Sequence, residues 1–170
     1  MNDAADAALR ARIREVFEAR NRSDMQPTID AFLGVLAEHP GDAELVYEVG
    51  GAYDTAGEEA TALGYYETAL ELGLDGELRR KFLLQYGSTL RNLGRLDDSL
   101  AVFDRARREF PHSEALRVFE ALSLHAAGRS DGAVAALIEL VVDRIDSPEL
   151  RRHDPSGHAA YLAARDAARD

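Results

Sequence analysis

Three stretches of the chain repeat one spacing of small and large apolar residues, and this repetition constrains the fold more than any other feature. A glycine recurs in each copy, at Gly57, Gly94 and Gly128, so the periods are 37 and 34 residues. Periods in this range are typical of solenoids built from stacked supersecondary units. One such unit cannot bury its apolar face alone, so its neighbours must pack against it. The aligned positions are Val46, Val49, Gly50, Tyr53, Ala62, Tyr66 and Ala69, then Leu83, Tyr86, Gly87, Leu90, Ser99, Phe103 and Ala106, then Ala121, Leu124, Ala133 and Leu137.

Apolar residues recur at three- and four-residue spacing almost throughout the chain, and no stretch alternates with period two. This pattern predicts an all-α protein. The predicted helices cover residues 3–20, 26–38, 42–56, 59–72, 77–93, 96–109, 113–127, 130–144 and 156–168. Four polar residues precede helices as predicted N-caps: Asp24, Asp42, Ser113 and Ser147.

The repeated residues have packing roles that follow from their size. Gly50 and Gly87 are expected where the two helices of a unit cross closely. Tyr66, Phe103 and Leu137 are expected to pack against the next repeat. The glycines that set the period are expected in the turns between helices, where positive φ is cheap only for glycine.

The pattern resembles the tetratricopeptide repeat, a helix–turn–helix unit, most closely over residues 43–111. The resemblance implies a single domain, residues 1–170, that forms an all-α, right-handed helix–turn–helix solenoid. It implies about three to four repeats and a C-terminal capping helix, with Tyr161 and Leu162 as the apolar anchors of the cap. The third copy departs from the family at Arg117 and Glu120, where large apolar residues are usual. The implied segments are a degenerate repeat at 3–40, repeats at 43–76, 78–111 and 113–145, and the cap at 148–170.

Tetratricopeptide arrays are protein-interaction scaffolds whose first helices line a concave groove that receives an extended or helical peptide. The resemblance therefore implies a non-catalytic adaptor or assembly scaffold that binds a protein or peptide. The repeat register places the following residues in the groove: Glu44, Tyr47, Glu48, Gly51 and Asp54, then Lys81, Leu84, Gln85, Ser88, Arg91 and Asn92, then Val118, Leu122 and His125.

Charge is unevenly distributed along the chain, whose net charge is −11. Residues 24–77 carry 13 acidic and no basic side chains, whereas residues 78–108 carry 8 basic and 3 acidic ones. The acidic total disfavours nucleic acid and anionic membranes as partners. Both blocks are either solvated surface or docking surfaces. Two alternatives to the adaptor therefore stay open, namely a regulatory sensor of a short peptide or small ligand, and a structural protein that self-associates into a homo-oligomer.

The residue types argue against an enzyme. The absence of cysteine excludes disulfides and thiol nucleophiles. No Gly-rich phosphate loop or Ser–His–acid arrangement can be recognised. The spacing of His153, Asp154 and His158 is unspecific for a metal and is explained by a polar loop. We expect no catalytic residues, no metal and no cofactor. We see no signal peptide and no apolar run of membrane-span length, so a cytoplasmic location is expected.

Overall fold

The computed structural model describes residues 3–168, and the side chains of residues 5–168, as an all-α chain. The predicted domain and cap extend to residues 1–2 and 169–170, which lie outside the described residues. In the described part, no helix has the length and apolar character that a membrane span needs. The helices are α1 (Asp3–Ala19), α2 (Gln26–Glu38), α3 (Ala43–Thr55), α4 (Glu59–Leu72), α5 (Gly76–Asn92), α6 (Leu96–Glu109), α7 (Glu114–Ala126), α8 (Ser130–Arg144), α9 (Pro148–His153) and α10 (Ser156–Ala167).

The helix–turn–helix prediction is confirmed by the order of these elements and by the backbone of the turns. The predicted helices agree with the observed ones to within one residue at each end, and α9 is an additional short helix. Gly57, Gly94 and Gly128 have φ values of 81°, 76° and 78°. This left-handed region strains any residue with a Cβ, which explains glycine at each turn.

Three of the four predicted N-caps are confirmed. The side chains of Asp42, Ser113 and Ser147 each accept a hydrogen bond from the backbone amide three residues ahead, at 2.9, 3.4 and 3.4 Å. The prediction for Asp24 is wrong. The N-cap position of α2 is Met25, which has no side-chain cap and is buried instead. Asp24 lies one residue earlier, in the turn that precedes the helix.

The chain divides into two compact units, unit 1 (Met1–Gln85) and unit 2 (Tyr86–Asp170), and the division falls within α5. Unit 1 contains α1 to α4 with the first part of α5. Unit 2 contains the remainder of α5 with α6 to α10. The single domain over residues 1–170 stays a prediction.

The apolar core of unit 1 joins the leading helix pair to α3. α1 contributes two buried residues, while Phe17, further along the same helix, is 40% exposed. α1 therefore buries only a short apolar stripe, and the degenerate leading repeat stays a prediction. The core residues are Leu9, Ile13, Met25, Ile29, Phe32, Val35, Leu45, Val49 and Ala52.

A missing side chain on α3 makes room for an aromatic ring from α4. A Cβ at Gly50 would lie 2.8 Å from two ring carbons of Tyr66, which is itself fully buried. The same ring packs edge-on against Phe82 of α5, with 6.0 Å between ring centroids. Tyr66 therefore fills the crossing within its own repeat and also contacts the next helix, as its predicted role requires.

The same arrangement recurs in unit 2 between α5 and α6. A Cβ at Gly87 would lie 2.7 Å from the ring of Phe103. The buried Ser99 hydroxyl donates to the Gly87 carbonyl at 2.7 Å and lies 2.9 Å from the Ser123 hydroxyl on α7. Since Ser99 uses its proton on Gly87, Ser123 is the donor in the second hydrogen bond. The two serines satisfy each other in a site that water does not reach.

Ion pairs join α7 of the third repeat to α8 and to α6. Arg117 on α7 forms a salt bridge to Asp143 on α8 at 2.6 Å. Glu120, whose side chain is 13% exposed, lies 3.7 Å from Arg107 on α6. The prediction that Leu137 packs against a following repeat is wrong, because its side chain is 41% exposed.

The C-terminal cap consists of two helices, α9 and α10, which Pro155 separates because proline disfavours helix at the preceding residue. The prediction that Tyr161 anchors the cap is wrong, because its side chain is 61% exposed. Leu162, the other predicted anchor, is only half-buried. The buried residues of α10 are Ala159 and Asp166. α10 therefore packs through a small residue and a carboxylate, not through large apolar side chains.

We predict that Gly50→Ala lowers the free energy of unfolding by about 1–3 kcal/mol, because the confined Tyr66 ring has to move. The matched control is Gly64→Ala on α4, where no atom would lie within 4 Å of the new Cβ. This change is expected to leave stability unchanged or raise it by up to about 1 kcal/mol, through helix propensity. Urea unfolding followed by circular dichroism measures both. Equal stability of the two variants would contradict the packing described for Gly50.

Candidate functional site

Eight of the residues that the repeat register places in a groove lie in unit 1, on α3 and α5. We call the seven accessible ones among them the α3–α5 face. Lys81 is exposed, and the other six are half-buried. The residues of the α3–α5 face are Glu44, Glu48, Gly51, Asp54, Lys81, Leu84 and Gln85.

Tyr47 is the eighth residue, and the structure corrects its predicted place in the groove. Its side chain is 4% exposed. Its ring packs against Tyr66 and Phe82, with centroid distances of 6.1 and 6.2 Å. Tyr66, which occupies the space above Gly50, thus forms an aromatic cluster with Tyr47 and Phe82. Tyr47 therefore packs beneath the α3–α5 face and is almost inaccessible to a ligand.

Arg10 on α1 contacts the start of α3, and the sequence does not predict this contact. Its guanidinium donates to Glu44 at 2.6 Å and forms a bidentate ion pair with Asp42, the N-cap of α3. Burial would raise the pKa of Asp42, but the hydrogen bonds from Arg10 and the Leu45 amide outweigh it and hold the pKa below its usual range. Glu44 thus already has an ion-pair partner within unit 1, which it shares with Asp6 and Asp42. The contact joins residues 34 positions apart, which no local pattern indicates.

Glu48 is a carboxylate of the α3–α5 face whose pKa is strongly shifted. Burial and the neighbouring Glu44 raise the pKa of Glu48 against the opposing effect of Lys81 and Arg20, and the result is a pKa of about 7. No hydrogen bond or ion pair holds Glu48 in the part of the chain that is described. The folded protein therefore favours the protonated form of this side chain near neutral pH, or a cation brought by a ligand.

A buried tyrosine connects the two helices of the α3–α5 face. The Tyr66 hydroxyl lies 3.5 Å from a carboxylate oxygen of Asp54 on α3 and 3.2 Å from the amide oxygen of Gln85 on α5. Burial, with the charge of Asp54, raises the pKa of Tyr66, so this hydroxyl remains a donor. Asp54 and Gln85, predicted from different repeats, are thus brought together by a residue from the core.

Six predicted groove residues lie in unit 2: Ser88, Arg91 and Asn92 on α5, and Val118, Leu122 and His125 on α7. Asn92, Leu122 and His125 are exposed, and the other three are half-buried. The carbon at the centre of the Arg91 guanidinium lies 5.9 Å from the centroid of Phe119, which joins α5 to α7. Phe119 is not among the predicted residues, because the register places its neighbour Val118 in the groove. We call Arg91, Asn92, Phe119 and Leu122 the Arg91 patch.

Arg91 is a half-buried cation without a carboxylate partner among the described residues. Its Nη2 donates to the Asn92 side-chain oxygen at 3.3 Å, whereas its Nη1 is buried and has no hydrogen-bond partner there. Burial lowers the pKa of Arg91. A guanidinium stays charged under these conditions, so unit 2 holds a positive charge that no described carboxylate compensates.

Several arginines of the basic block, residues 78–108, pair with carboxylates three or four positions away in the sequence. Examples are Arg95 with Asp98 at 2.7 Å and Arg105 with Glu109 at 2.8 Å, and Arg108 pairs with Asp104. Pairs of this kind contribute about 0.2–0.5 kcal/mol to a helix. Among the described side chains, those of residues 5–168, no group of three or more histidine, aspartate or glutamate residues is arranged to hold a metal ion.

A sequence model of the family described as "Tetratrico peptide repeat" matches residues 43–153. The match runs from the start of α3 to the end of α9 and covers more than half of the chain. It includes the three clear repeats and leaves out α1, α2 and α10. No curated protein matches the chain.

We predict that Glu48→Gln stabilises the protein at pH 8 by about 1–3 kcal/mol and has little effect near pH 4.5. The sign follows from the raised pKa, because the folded state binds a proton more tightly than the unfolded state. Stability contributed by protonated Glu48 is complete below the unfolded pKa and is lost as pH rises toward about 7. Urea unfolding between pH 4.5 and 8 measures the effect.

The matched control is Glu71→Gln, which removes the same charge from an exposed position on α4. This control is expected to keep the wild-type pH dependence. A Glu48→Gln profile that parallels both the wild type and the control would show that Glu48 titrates normally.

Proposed function

Because the chain belongs to the tetratricopeptide-repeat family, we propose that it is a non-catalytic adaptor or assembly scaffold that binds a protein or peptide partner. Members of this family generally mediate contacts between proteins. We further propose that the partner is held at the Arg91 patch. The observation that carries this proposal is the half-buried Arg91 guanidinium, which has no carboxylate partner among the described residues.

The energetics of Arg91 favour an acidic group on the partner. A half-buried cation without a counter-charge has lost part of its hydration without gaining an ion pair, which costs free energy in the unbound protein. A carboxylate that meets the accessible side of the guanidinium would form a charge-assisted hydrogen bond, which is stronger than a neutral one. Binding then supplies the opposite charge that no described carboxylate of the free protein provides.

The neighbours of Arg91 restrict the partner further. The Asn92 side-chain oxygen faces Arg91, so its amide N–H donors are directed elsewhere and suit a carbonyl or carboxylate. Leu122 on α7 is 46% exposed and offers an apolar contact. The chemistry of the Arg91 patch fits a segment that carries an acidic side chain, or a chain-terminal carboxylate, close to an apolar side chain.

The α3–α5 face of unit 1 offers the opposite charge. Glu48, which has no ion pair in the described chain, would accept a lysine or arginine side chain, and this cation would lower the raised pKa of Glu48. We propose this face as a second, independent contact for basic residues. Its contribution is separable from the Arg91 patch, because the two involve different residues and opposite charges.

We predict that Arg91→Gln weakens binding of the partner by about 10- to 100-fold, the loss expected for one charge-assisted hydrogen bond. Wild-type protein and the variant are used as baits in lysate of the source cells, and captured proteins are identified by mass spectrometry. A partner found with wild type is then purified and titrated against both forms by calorimetry. Arg91→Gln is expected to change the free energy of unfolding by less than about 0.5 kcal/mol, since no ion pair among the described residues is broken.

The matched control is Arg152→Gln, which removes the same charge from an exposed position on α9. This variant should retain the partner. If Arg91→Gln captures the same proteins with the same affinity as wild type, the Arg91 patch is not the binding site. If capture depends on Arg152 as much as on Arg91, binding follows net charge and not the patch.

A further inference from the structure

One side of α8 presents a stripe of exposed large apolar side chains. Those of Val134, Leu137, Val141 and Ile145 are 47, 41, 39 and 54% exposed. They recur every three or four residues, so they lie in line along the helix and its C-terminal end. Three of them line a shallow groove of about 350 Å³, which we call the α8 groove. Its lining consists of Val134, Leu137, Ile138, Val141, Leu150 and Pro155.

The equivalent face is covered in the two preceding repeats. Tyr66 on α4 and Phe103 on α6 occupy the repeat position of Leu137, and their side chains are 0% and 1% exposed, against 41% for Leu137. By the same spacing, Leu74 occupies the position of Ile145, and it is 8% exposed, against 54% for Ile145. α8 therefore lacks the cover that the second helix of an earlier repeat has.

In those repeats the cover is the first helix of the next repeat. On α4 it is α5, whose Phe82 packs edge-on against Tyr66 with 6.0 Å between ring centroids. On α6 it is α7, whose Ser123 hydrogen-bonds to Ser99 at 2.9 Å. The exposed face of α8 thus continues the interface through which successive repeats stack, and the element that fits an interface of this kind is a helix.

The described chain does not supply this helix to α8. α9, which follows α8, has only six residues, whereas α5 has 17 and α7 has 13. α10 packs on another side of α8, where Asp166, paired with Arg129 at 2.8 Å, lies against Gly132. Because Gly132 and Val134 are two residues apart, they lie on nearly opposite sides of the helix. The α8 groove is therefore open where the first helix of a further repeat would lie.

A second copy of the chain offers no matching helix among the described residues. Apart from those of α8, each exposed large apolar side chain lies on a different helix or in a turn: Phe17, Leu72, Leu93, Leu122 and Tyr161. Two copies would therefore have to pair through α8 on both sides. A contiguous exposed apolar surface is uncommon on a monomeric protein and marks an interaction site.

We propose that the α8 groove docks an amphipathic helix of a partner protein, which places an aromatic side chain against Leu137. A helix that binds in a groove is anchored by apolar residues at three- and four-residue spacing. The aromatic anchor is inferred from Phe82 of α5, which meets Tyr66 at the equivalent position. Leucine is smaller than tyrosine or phenylalanine, so the α8 groove has room for a ring. This contact goes beyond the Arg91 patch, with which the α8 groove shares no residue.

The test uses a fluorescent peptide with the sequence of α5, residues 76–92, because this helix already covers an equivalent face. A hydrocarbon cross-link between positions 77 and 81, which are exposed in the protein, keeps the peptide helical. Binding to the full chain is measured by fluorescence anisotropy at about 150 mM salt, which screens exposed charges. The control peptide carries Phe82→Ser and Leu83→Ser and has the same charge. We expect it to bind at least about tenfold more weakly.

The protein variant Val134→Gln/Val141→Gln is expected to weaken binding of the α5 peptide at least about tenfold, because two apolar anchors of the α8 groove are lost. The matched control is Leu72→Gln/Tyr161→Gln, which replaces two side chains elsewhere that are 43 and 61% exposed. This control should bind as wild type does. Val134→Gln alone keeps the test valid if the double variant loosens α8.

The proposal is overturned if the α5 peptide does not bind at millimolar concentration, if both peptides bind equally well, or if Val134→Gln/Val141→Gln binds as tightly as its control. Sedimentation velocity of the free protein distinguishes the remaining occupant. A wild-type dimer that Val134→Gln/Val141→Gln abolishes would show that a second copy covers the α8 groove, and this result would also overturn the proposal.

Discussion

The architecture depends on two aromatic rings, each of which packs against a glycine of the neighbouring helix. Tyr66 on Gly50 and Phe103 on Gly87 bring the helices of a repeat close enough to exclude water. Each ring is fully or almost fully buried. Replacing the glycine by a larger residue, or the aromatic residue by a smaller one, would therefore disturb the packing and lower stability. The third repeat lacks this pair. Its small residues Ala121 on α7 and Ala133 on α8 are buried, and an ion pair joins Arg117 to the exposed Asp143.

This packing determines which charges the molecule leaves uncompensated. The aromatic cluster beneath α3 fixes the backbone that holds Glu48 half-buried, and the contact with Phe119 keeps Arg91 at the surface of unit 2. Neither side chain has an ion-pair partner in the described chain, whereas Arg10, Arg117 and Arg165 all do. Stability alone would favour neutralising Glu48 and Arg91. Their retention is the physical basis for assigning partner contacts to them.

Much of the fold was predictable because its determinants are local. Helix periodicity, glycine turns and the caps at Asp42 and Ser113 each depend on residues within one turn of each other. The errors arose where tertiary contacts decide. The repeat register predicts that Tyr47 faces the groove, but its ring is buried in the core in contact with the Tyr66 ring. Arg10 and Asp166 find partners 34 and 37 residues away, and such pairings leave no trace in the spacing of a single sequence.

A displayed library of random peptides tests directly whether Arg91 receives an acidic group of the partner, even while that partner is unidentified. Wild-type protein and Arg91→Gln are used as targets in parallel selections, and both peptide pools are sequenced. We expect wild type to enrich peptides with an acidic residue near an apolar one, and Arg91→Gln to lose this enrichment. Identical pools from the two targets would show that Arg91 does not receive an acidic group.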